Sequence, residues 1–451
     1  MAEVRENKMG TMPVKKLIIT MSLPMMISML VQALYNVVDS IFVAQIEESA
    51  LTAVSLAFPL QNLMIGLGSG MGVGINALLS RSLGERNFKK ANEAACTGLL
   101  ITVLHFIVFL LVSLFIAEPF LHGQIDDPVI RGYGVTYLKI VCGCSFGLFF
   151  QMTSERLLQS TGRTVHSMIL QATGAIINII LDPIMIFGLL GCPKMGIAGA
   201  AWATVIGQCT AACLGLFFNL KYNKDIVISF AEILHPQMDT VRQIYKVGIP
   251  SVLMMAVGSV MSYLLNQILI TFTTTATAVF GVYFKMQSFF FMPIFGLNSG
   301  LVPVLAYNYG ARRKDRILEA LRFSLMLAGT VMTTGLIIFE TMPGVLLKLF
   351  NASEEMLAIG IPAMRIIAVN FPVAAVCIIL GSTFQAFSRS VYSLLVSLSR
   401  QLIVLIPVAW LLAKLGNVNY VWLAFPIAEV VSLFISLLLY RKIRTEIIDT
   451  L

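Results

Sequence analysis

Apolar runs long enough to cross a bilayer follow one another along the whole chain, separated by short polar breaks. About 20 such residues span the hydrocarbon core as a helix. Lipid offers no partner to a free backbone N–H, so these runs are expected as helices. A transmembrane barrel would show short alternating segments, and the sequence lacks them. The runs read as Leu17–Ile46, Leu51–Leu79, Ala94–Ala117, Val135–Leu158, Val165–Leu190 and Ile197–Leu220, then Ile244–Thr271, Ala276–Tyr307, Ile317–Phe339, Ile359–Phe387, Val391–Leu415 and Val421–Tyr440. The fold class that follows is an all-α integral membrane protein with about twelve transmembrane helices and no sizeable soluble domain. Charged residues make up only 12% of the chain, about half the share of a soluble domain.

The net charge of +8 has a topological explanation. Lys and Arg collect in alternate loops: Arg81, Arg86, Lys89 and Lys90; Arg156 and Arg163; Lys221, Lys224, Arg242 and Lys246; Arg312, Arg313, Lys314 and Arg316; and Arg389. Lys8, Lys15 and Lys16 at one terminus, and Arg441, Lys442 and Arg444 at the other, belong to the same set. The intervening loops carry Glu47, Glu48, Asp126 and Asp127 instead. By the positive-inside rule both termini are cytoplasmic, which requires an even number of spans. No nucleic-acid partner is needed to account for the charge. The first run is too long for a signal-peptide core and is expected to remain as a span.

Enzyme chemistry finds no support. The seven cysteines are scattered and give no disulfide framework. His105, His122, His166 and His235 lie far apart, without zinc spacing. No Gly-Lys dipeptide occurs, so the usual phosphate-binding loop is excluded and no cofactor is implied. The glycine run Gly66–Gly74 falls inside a span, where glycines serve close helix packing.

The chain repeats itself at an offset of 226 residues. Pro24 matches Pro250. Gly84, Arg86, Glu93 and Ala94 match Gly310, Arg312, Glu319 and Ala320. Gln159, Arg163, Val165 and Ser167 match Gln385, Arg389, Val391 and Ser393. Three separated blocks in one register mark a duplicated unit. The expected organisation is an N-terminal six-helix lobe over 1–221, a cytoplasmic linker over 222–243 and a C-terminal six-helix lobe over 244–451. Parallel repeats of this kind suit a transporter that alternates access to a site near the midplane.

Ionisable groups inside a span cost about 2.5–3.5 kcal/mol each on insertion scales, so each asks for a reason. Asp39 lies in the first span, with Asn36 and Gln32 on its face. Asn178 and Asp182 share a face of the fifth, and Thr204 opens the sixth. Two carboxyls, an amide and a hydroxyl form a set suited to a desolvated proton or Na⁺. Their repeat counterparts are Leu265, Val404, Val408 and Val430, so the architecture is duplicated but the polar set is not. A structural hydrogen-bond network would more often appear in both lobes. The second half carries its own charges, Lys285, Arg400 and Glu429, as candidates for a structural ion pair or for a substrate or coupling role. Tyr35, Tyr283, Phe289 and Met255 are candidates to line an apolar substrate site.

With these residues in view, the sequence resembles the multidrug and toxic compound extrusion (MATE) family, in particular its bacterial MepA-like exporters. The marks are Ser22-Leu-Pro24, Tyr35-Asn-Val-Val-Asp39, Asn178-Ile-Ile-Leu-Asp-Pro183, Gly196-Ile-Ala-Gly-Ala-Ala-Trp-Ala-Thr204, Gly248-Ile-Pro250 and Val302-Pro-Val-Leu-Ala-Tyr-Asn308. The resemblance implies antiport of drugs, often lipophilic cations, against H⁺ or Na⁺, by a monomer in the bacterial plasma membrane. It also implies that Asp39, Asn178, Asp182 and Thr204 form the cation site, with Cys192, Pro193 and Lys194 altering the spacing to Thr204. A lipid-linked oligosaccharide flippase of the same superfamily, and a non-transporting membrane scaffold or receptor, are the competing readings.

Overall fold

A computed structural model describes residues 7–350 and 352–451, apart from the side chains of Ala44 and Glu48. The Glu48 side chain and residues 1–6 of the expected N-terminal lobe thus lie outside the described residues. Among the described residues the regular structure is helical. The long helices are α1 (Val14–Ala44), α2 (Glu48–Gly84), α3 (Phe88–Phe115), α4 (Pro128–Gly143), α5 (Phe146–Ser160), α6 (Thr164–Phe187) and α7 (Ile197–Lys221). They continue as α8 (Met238–Leu269), α9 (Thr274–Gly310), α10 (Lys314–Thr341), α11 (Glu354–Ala368), α12 (Phe371–Ala386), α13 (Ser390–Leu398), α14 (Leu405–Ala413) and α15 (Ala424–Glu446).

Ten helices are each long and apolar enough to cross a membrane, and two bent pairs bring the number of spans to twelve. The expected spans at Val135–Leu158 and Ile359–Phe387 are therefore broken ones. The α4/α5 pair bends by 45° and the α11/α12 pair by 48°. The breaks fall at matching places in the repeat, Cys144 and Asn370. Pro372 explains the second: it has no N–H for the helical bond to the Ala368 carbonyl, so a new helix starts there. In the first, Cys144 sits outside helical geometry at φ −106° and ψ 24°.

The chain forms two compact units, whose limits differ from the expected lobe boundaries. The first holds Ile27–Gly248, so it includes the polar linker and the start of α8. The second holds Ile249–Leu451 together with Lys8–Met26, the start of α1. Glycine contacts account for both exchanges. Within the first unit, a Cβ on Gly74 would overlap the Ile244 carbonyl, and one on Gly248 would overlap Met71. Within the second, Gly300 lies against the Ser22 backbone and Gly296 against Met25 and Met26. Gly74 and Gly300 are repeat counterparts, so one crossing is built twice. Bare backbone at these points lets helices approach closely, which compensates for the missing hydrophobic drive in lipid. The glycine run of the second span is thus explained by packing: Gly68 meets Phe149 and Met152, and Gly72 meets Arg156.

The linker is tied down within the first unit. The Val227 amide donates to Asn92 Oδ1 at 2.8 Å, and Lys90 pairs with Asp239 at 3.6 Å. The start of α1 is held in the second unit by Arg316, which donates to the carbonyls of Met9 and Met12 at 3.0 and 2.7 Å.

Candidate cation site

Close approach of α6 and α7 builds the site. Gly174 faces Gly207 and Ala211, and Gly207 faces Gly174 and Asn178. Gly207 lies one turn beyond Thr204, and Gly174 one turn before Asn178. The glycine crossing therefore sets Asn178 against Thr204. The loop between the helices reinforces this register. The Met195 and Gly196 amides donate to the Met185 and Ile186 carbonyls at 3.0 and 3.1 Å. The loop with Cys192, Pro193 and Lys194 folds back on the end of α6, and Thr204 reaches Asn178 across it. Gly188, with φ at +77°, ends α6 in the left-handed conformation that the reversal needs.

The amide of Asn178 is best satisfied with Nδ2 donating to Asp182 Oδ2 at 3.0 Å. Its oxygen then accepts from the Thr204 amide at 2.9 Å and the Thr204 hydroxyl at 3.1 Å. In the opposite orientation Nδ2 donates to Thr204 Oγ1 at 3.1 Å, and the hydroxyl donates to the Ala200 carbonyl at 3.1 Å. Asn178, Asp182 and Thr204 are buried, and Asp182 is fully so.

Helix α1 brings the second acid. The Asp39 carboxyl lies close enough to the Asp182 carboxyl for the two charges to interact directly. Tyr35, one turn before Asp39, lies beside Asp39, Asp182 and Thr204. Two carboxylates offer only acceptors, so their contact is favourable only with a proton or a cation between them. Asp182 Oδ1 has no hydrogen-bond partner among the described residues. All the facing groups except the Asn178 nitrogen are oxygens, the donor chemistry of a proton or a small hard cation.

The supporting residues divide. Gln32 accepts from Gln171 Nε2 at 3.1 Å, which joins α1 to α6 beside the site. Asn36 is exposed, and its contact with Gln32 is long at 3.5 Å. Two members were passed over in the sequence. Tyr137 of α4 is buried near Tyr35, Asp39 and Asp182, and lies next to Gln61 of α2. Neither carries a sequence signal, because Tyr and Gln inside a span are common and their helices lie far away in the chain. Glu155 of α5 is also buried and accepts from Gln151 at 3.1 Å. It lies near the end of the expected span Val135–Leu158, next to Arg156.

In the second unit, Arg400 and Glu429 pair at 3.5 Å. Lys285 does not join them: it is exposed on α9 and makes no ion pair among the described residues. Of the expected substrate-lining residues, Tyr283 is 2% exposed and packs with Phe280, Phe339 and Phe425 beside Glu429. Phe289 and Met255 are exposed, and Tyr35 belongs to the cation site.

The MatE family model matches residues 24–184 and, a second time, residues 250–411. The chain belongs to the MatE family. The two matches begin 226 residues apart, at the prolines that opened the repeat. Among relatives, the multidrug export protein MepA of Staphylococcus aureus (strain MSSA476) is 27% identical over 448 residues, covering 97% of this chain and 96% of that one. MepA of Staphylococcus haemolyticus (strain JCSC1435) is 25% identical over 431 residues, covering 94% and 93%. An outward-facing multidrug resistance MATE family transporter of the MOP superfamily superimposes with a TM-score of 0.92 at 23% identity, covering 99% of both chains. A MOP superfamily transporter from Pyrococcus furiosus, described as having a binding pocket of reverse polarity, gives a TM-score of 0.90 at 23% identity, also covering 99% of both chains. These structures establish the MATE fold.

Proposed function

We propose that this chain is a secondary active multidrug exporter that exchanges organic, chiefly cationic, compounds for H⁺ or Na⁺ by alternating access. Its relatives are named as multidrug export proteins. The observation that carries the coupling is the proximity of the half-buried Asp39 carboxyl to the fully buried Asp182 carboxyl, in a polar cluster that the second half does not repeat.

With the site open to the outside, an ion binds between the two carboxyls and removes their mutual repulsion. Asp39 rides on α1, so its engagement with α6 and α7 transmits the binding event to that helix. Substrate leaves, the lobes change access, and the ion is released inside before new substrate binds. The basic loops favour an orientation with both termini on the cytoplasmic side of a bacterial plasma membrane, across which the potential draws a cation inward. That potential supplies about 2.3 kcal/mol per charge per 100 mV. A tenfold substrate gradient costs about 1.4 kcal/mol, which one ion covers for a neutral compound; a monocation leaving for one entering ion moves no net charge, so its export draws on the ion's concentration gradient. The working unit in this reading is a monomer.

Ethidium efflux from drug-sensitive cells tests the proposal, with the wild type set against Asp39→Asn plus Asp182→Asn at equal membrane level. Export by the wild type alone is the expected result, and the gradient whose collapse stops it names the ion. Equal export by both proteins sinks the coupling site. No export of any cationic dye by the wild type sinks the exporter reading.

A further inference from the structure

The two halves use the corresponding helix pair differently. In the first, α6 and α7 meet through Gly174 and Gly207. In the second, the residue matching Gly174 is Arg400 and the residue matching Ala203 is Glu429, and these two face each other. The first half shows that the crossing can be made without charges. An ion pair in this place is therefore not required by the architecture. It also contributes little net stability, because taking two charges out of water offsets most of their attraction.

The local backbone is unusual as well. Residues 399–404 form a π-helical turn between α13 and α14, and the Leu405 amide donates to the Arg400 carbonyl. Pro407 supplies the cause. It has no N–H for the Ile403 carbonyl, and its ring presses on that carbonyl, so the preceding turn widens. Such turns recur at functional positions. Here the widened turn carries the arginine.

The pair is loose and asymmetric. Its N–O separation of 3.5 Å exceeds the 2.7–2.9 Å typical of charge-assisted bonds. The Glu429 side chain is 6% exposed and that of Arg400 is 24% exposed. Arg400 is thus the accessible member, the one that an incoming cation displaces. Around the carboxylate stand Tyr283, whose hydroxyl donates to Gln287 at 2.7 Å, and Phe425, one turn earlier on α15. A single carboxylate among aromatic rings suits an organic ammonium or amidinium, which gains from ring faces as well as from charge. A bare metal ion would need more oxygen ligands.

We propose that Glu429 is a charge-recognition point for the organic substrate, masked by Arg400 until a cationic group of the substrate takes the guanidinium's place. The proposal rests on the exporter reading and concerns which compounds are chosen, not how export is driven.

Binding to the purified full-length chain tests it, with three fluorescent probes: ethidium, the dication DAPI and the neutral dye Nile red. Arg400→Gln unmasks the carboxylate, so both cations are expected to bind about tenfold more tightly while Nile red is unchanged. Glu429→Gln is expected to weaken both cations and to spare Nile red. The double variant is expected to behave as Glu429→Gln does, and its melting temperature reports whether the fold tolerates loss of the pair. Should Arg400→Gln not fold, Arg400→Lys is expected to show a smaller gain of the same sign. Equal changes for all three probes, or wild-type cation binding restored in the double variant, would make the pair structural and overturn the proposal. Failure of the wild type to export any dye from cells would sink the exporter reading, while the binding comparison would still decide the role of Glu429.

Discussion

Helices α6 and α7 in the first unit, and α13, α14 and α15 in the second, occupy matching places in one duplicated architecture. The first pair is closed by glycine and buries an acid, an amide and a hydroxyl. The second places Val404, Val408 and Val430 at those positions and moves its polarity by one turn or less, to an arginine and a glutamate. Duplication supplied two frames. Which frame holds the ion depends on a few side chains and on how closely two helices approach. In the proposed exporter, a second acid and the transported ion complete the buried acid of the first unit. In the second, the acid is completed by the protein's own arginine.

The largest effect that would sharpen this contrast is expected from Asp182→Asn alone. The amide keeps the shape and can still bond Asn178, but it removes the charge that attracts the ion. Dye efflux should fall to the level of cells without the protein, while folded yield and melting temperature stay near wild type. A variant that still exports would reduce the buried acid to a structural hydrogen bond.

Gly207→Leu is next. The glycine lies against the Gly174 carbonyl, so a branched side chain must push α7 away from α6. Overpacking of this kind costs about 1–3 kcal/mol, read as a lower melting temperature, and it separates Thr204 from Asn178. The matching position in the second half is Leu433. Leu433→Gly leaves only a gap there and is expected to reduce efflux far less. Equal losses from both variants would dissolve the comparison.

Much of this was open to the sequence. Spans and repeat register follow from hydropathy and offset, because lipid imposes one solution on every apolar run. The two acids stood out because a charge in a span is costly. Three features were not readable. The break at Cys144 lies inside a run with no local signal, and Pro372 at the other break does not stand out from Pro59, Pro183, Pro293 and Pro303, which sit inside unbroken helices. The exchange of the α1 and α8 starts between units depends on Gly74, Gly248, Gly296 and Gly300, and a glycine does not say which neighbour it admits. Tyr137 and Gln61 join the site from helices far off in sequence, and proximity of that kind has no local pattern.

Thr204→Val is a finer probe of the same cluster. The two side chains match in shape but not in chemistry, so the variant removes only the hydroxyl. Asn178 then loses the bond from the hydroxyl but keeps the one from the Thr204 amide, so the cost is that of one hydrogen bond, about 0.5–1.5 kcal/mol. Efflux is expected to drop several-fold without vanishing, because both carboxyls remain. Thr204→Ser, which keeps the hydroxyl, is expected to restore it. If Val and Ser behaved alike, the hydroxyl would be a spectator.

The smallest effect is expected at Pro407, and it addresses the other half of the comparison. Pro407→Ala returns an N–H to the Ile403 carbonyl and removes the ring that widens the turn. Residues 399–404 should then relax toward an ordinary α-helix, turning Arg400 by part of a turn relative to Glu429. Stability should change little, since one backbone bond is gained as a loose ion pair is lost. Ethidium export should persist, because Asp39 and Asp182 are untouched. What should move is the ranking of cationic over neutral substrates, in the direction of Arg400→Gln. Unchanged selectivity, with the π turn shown to be gone, would mean that the turn merely accommodates the proline and has no part in presenting the arginine.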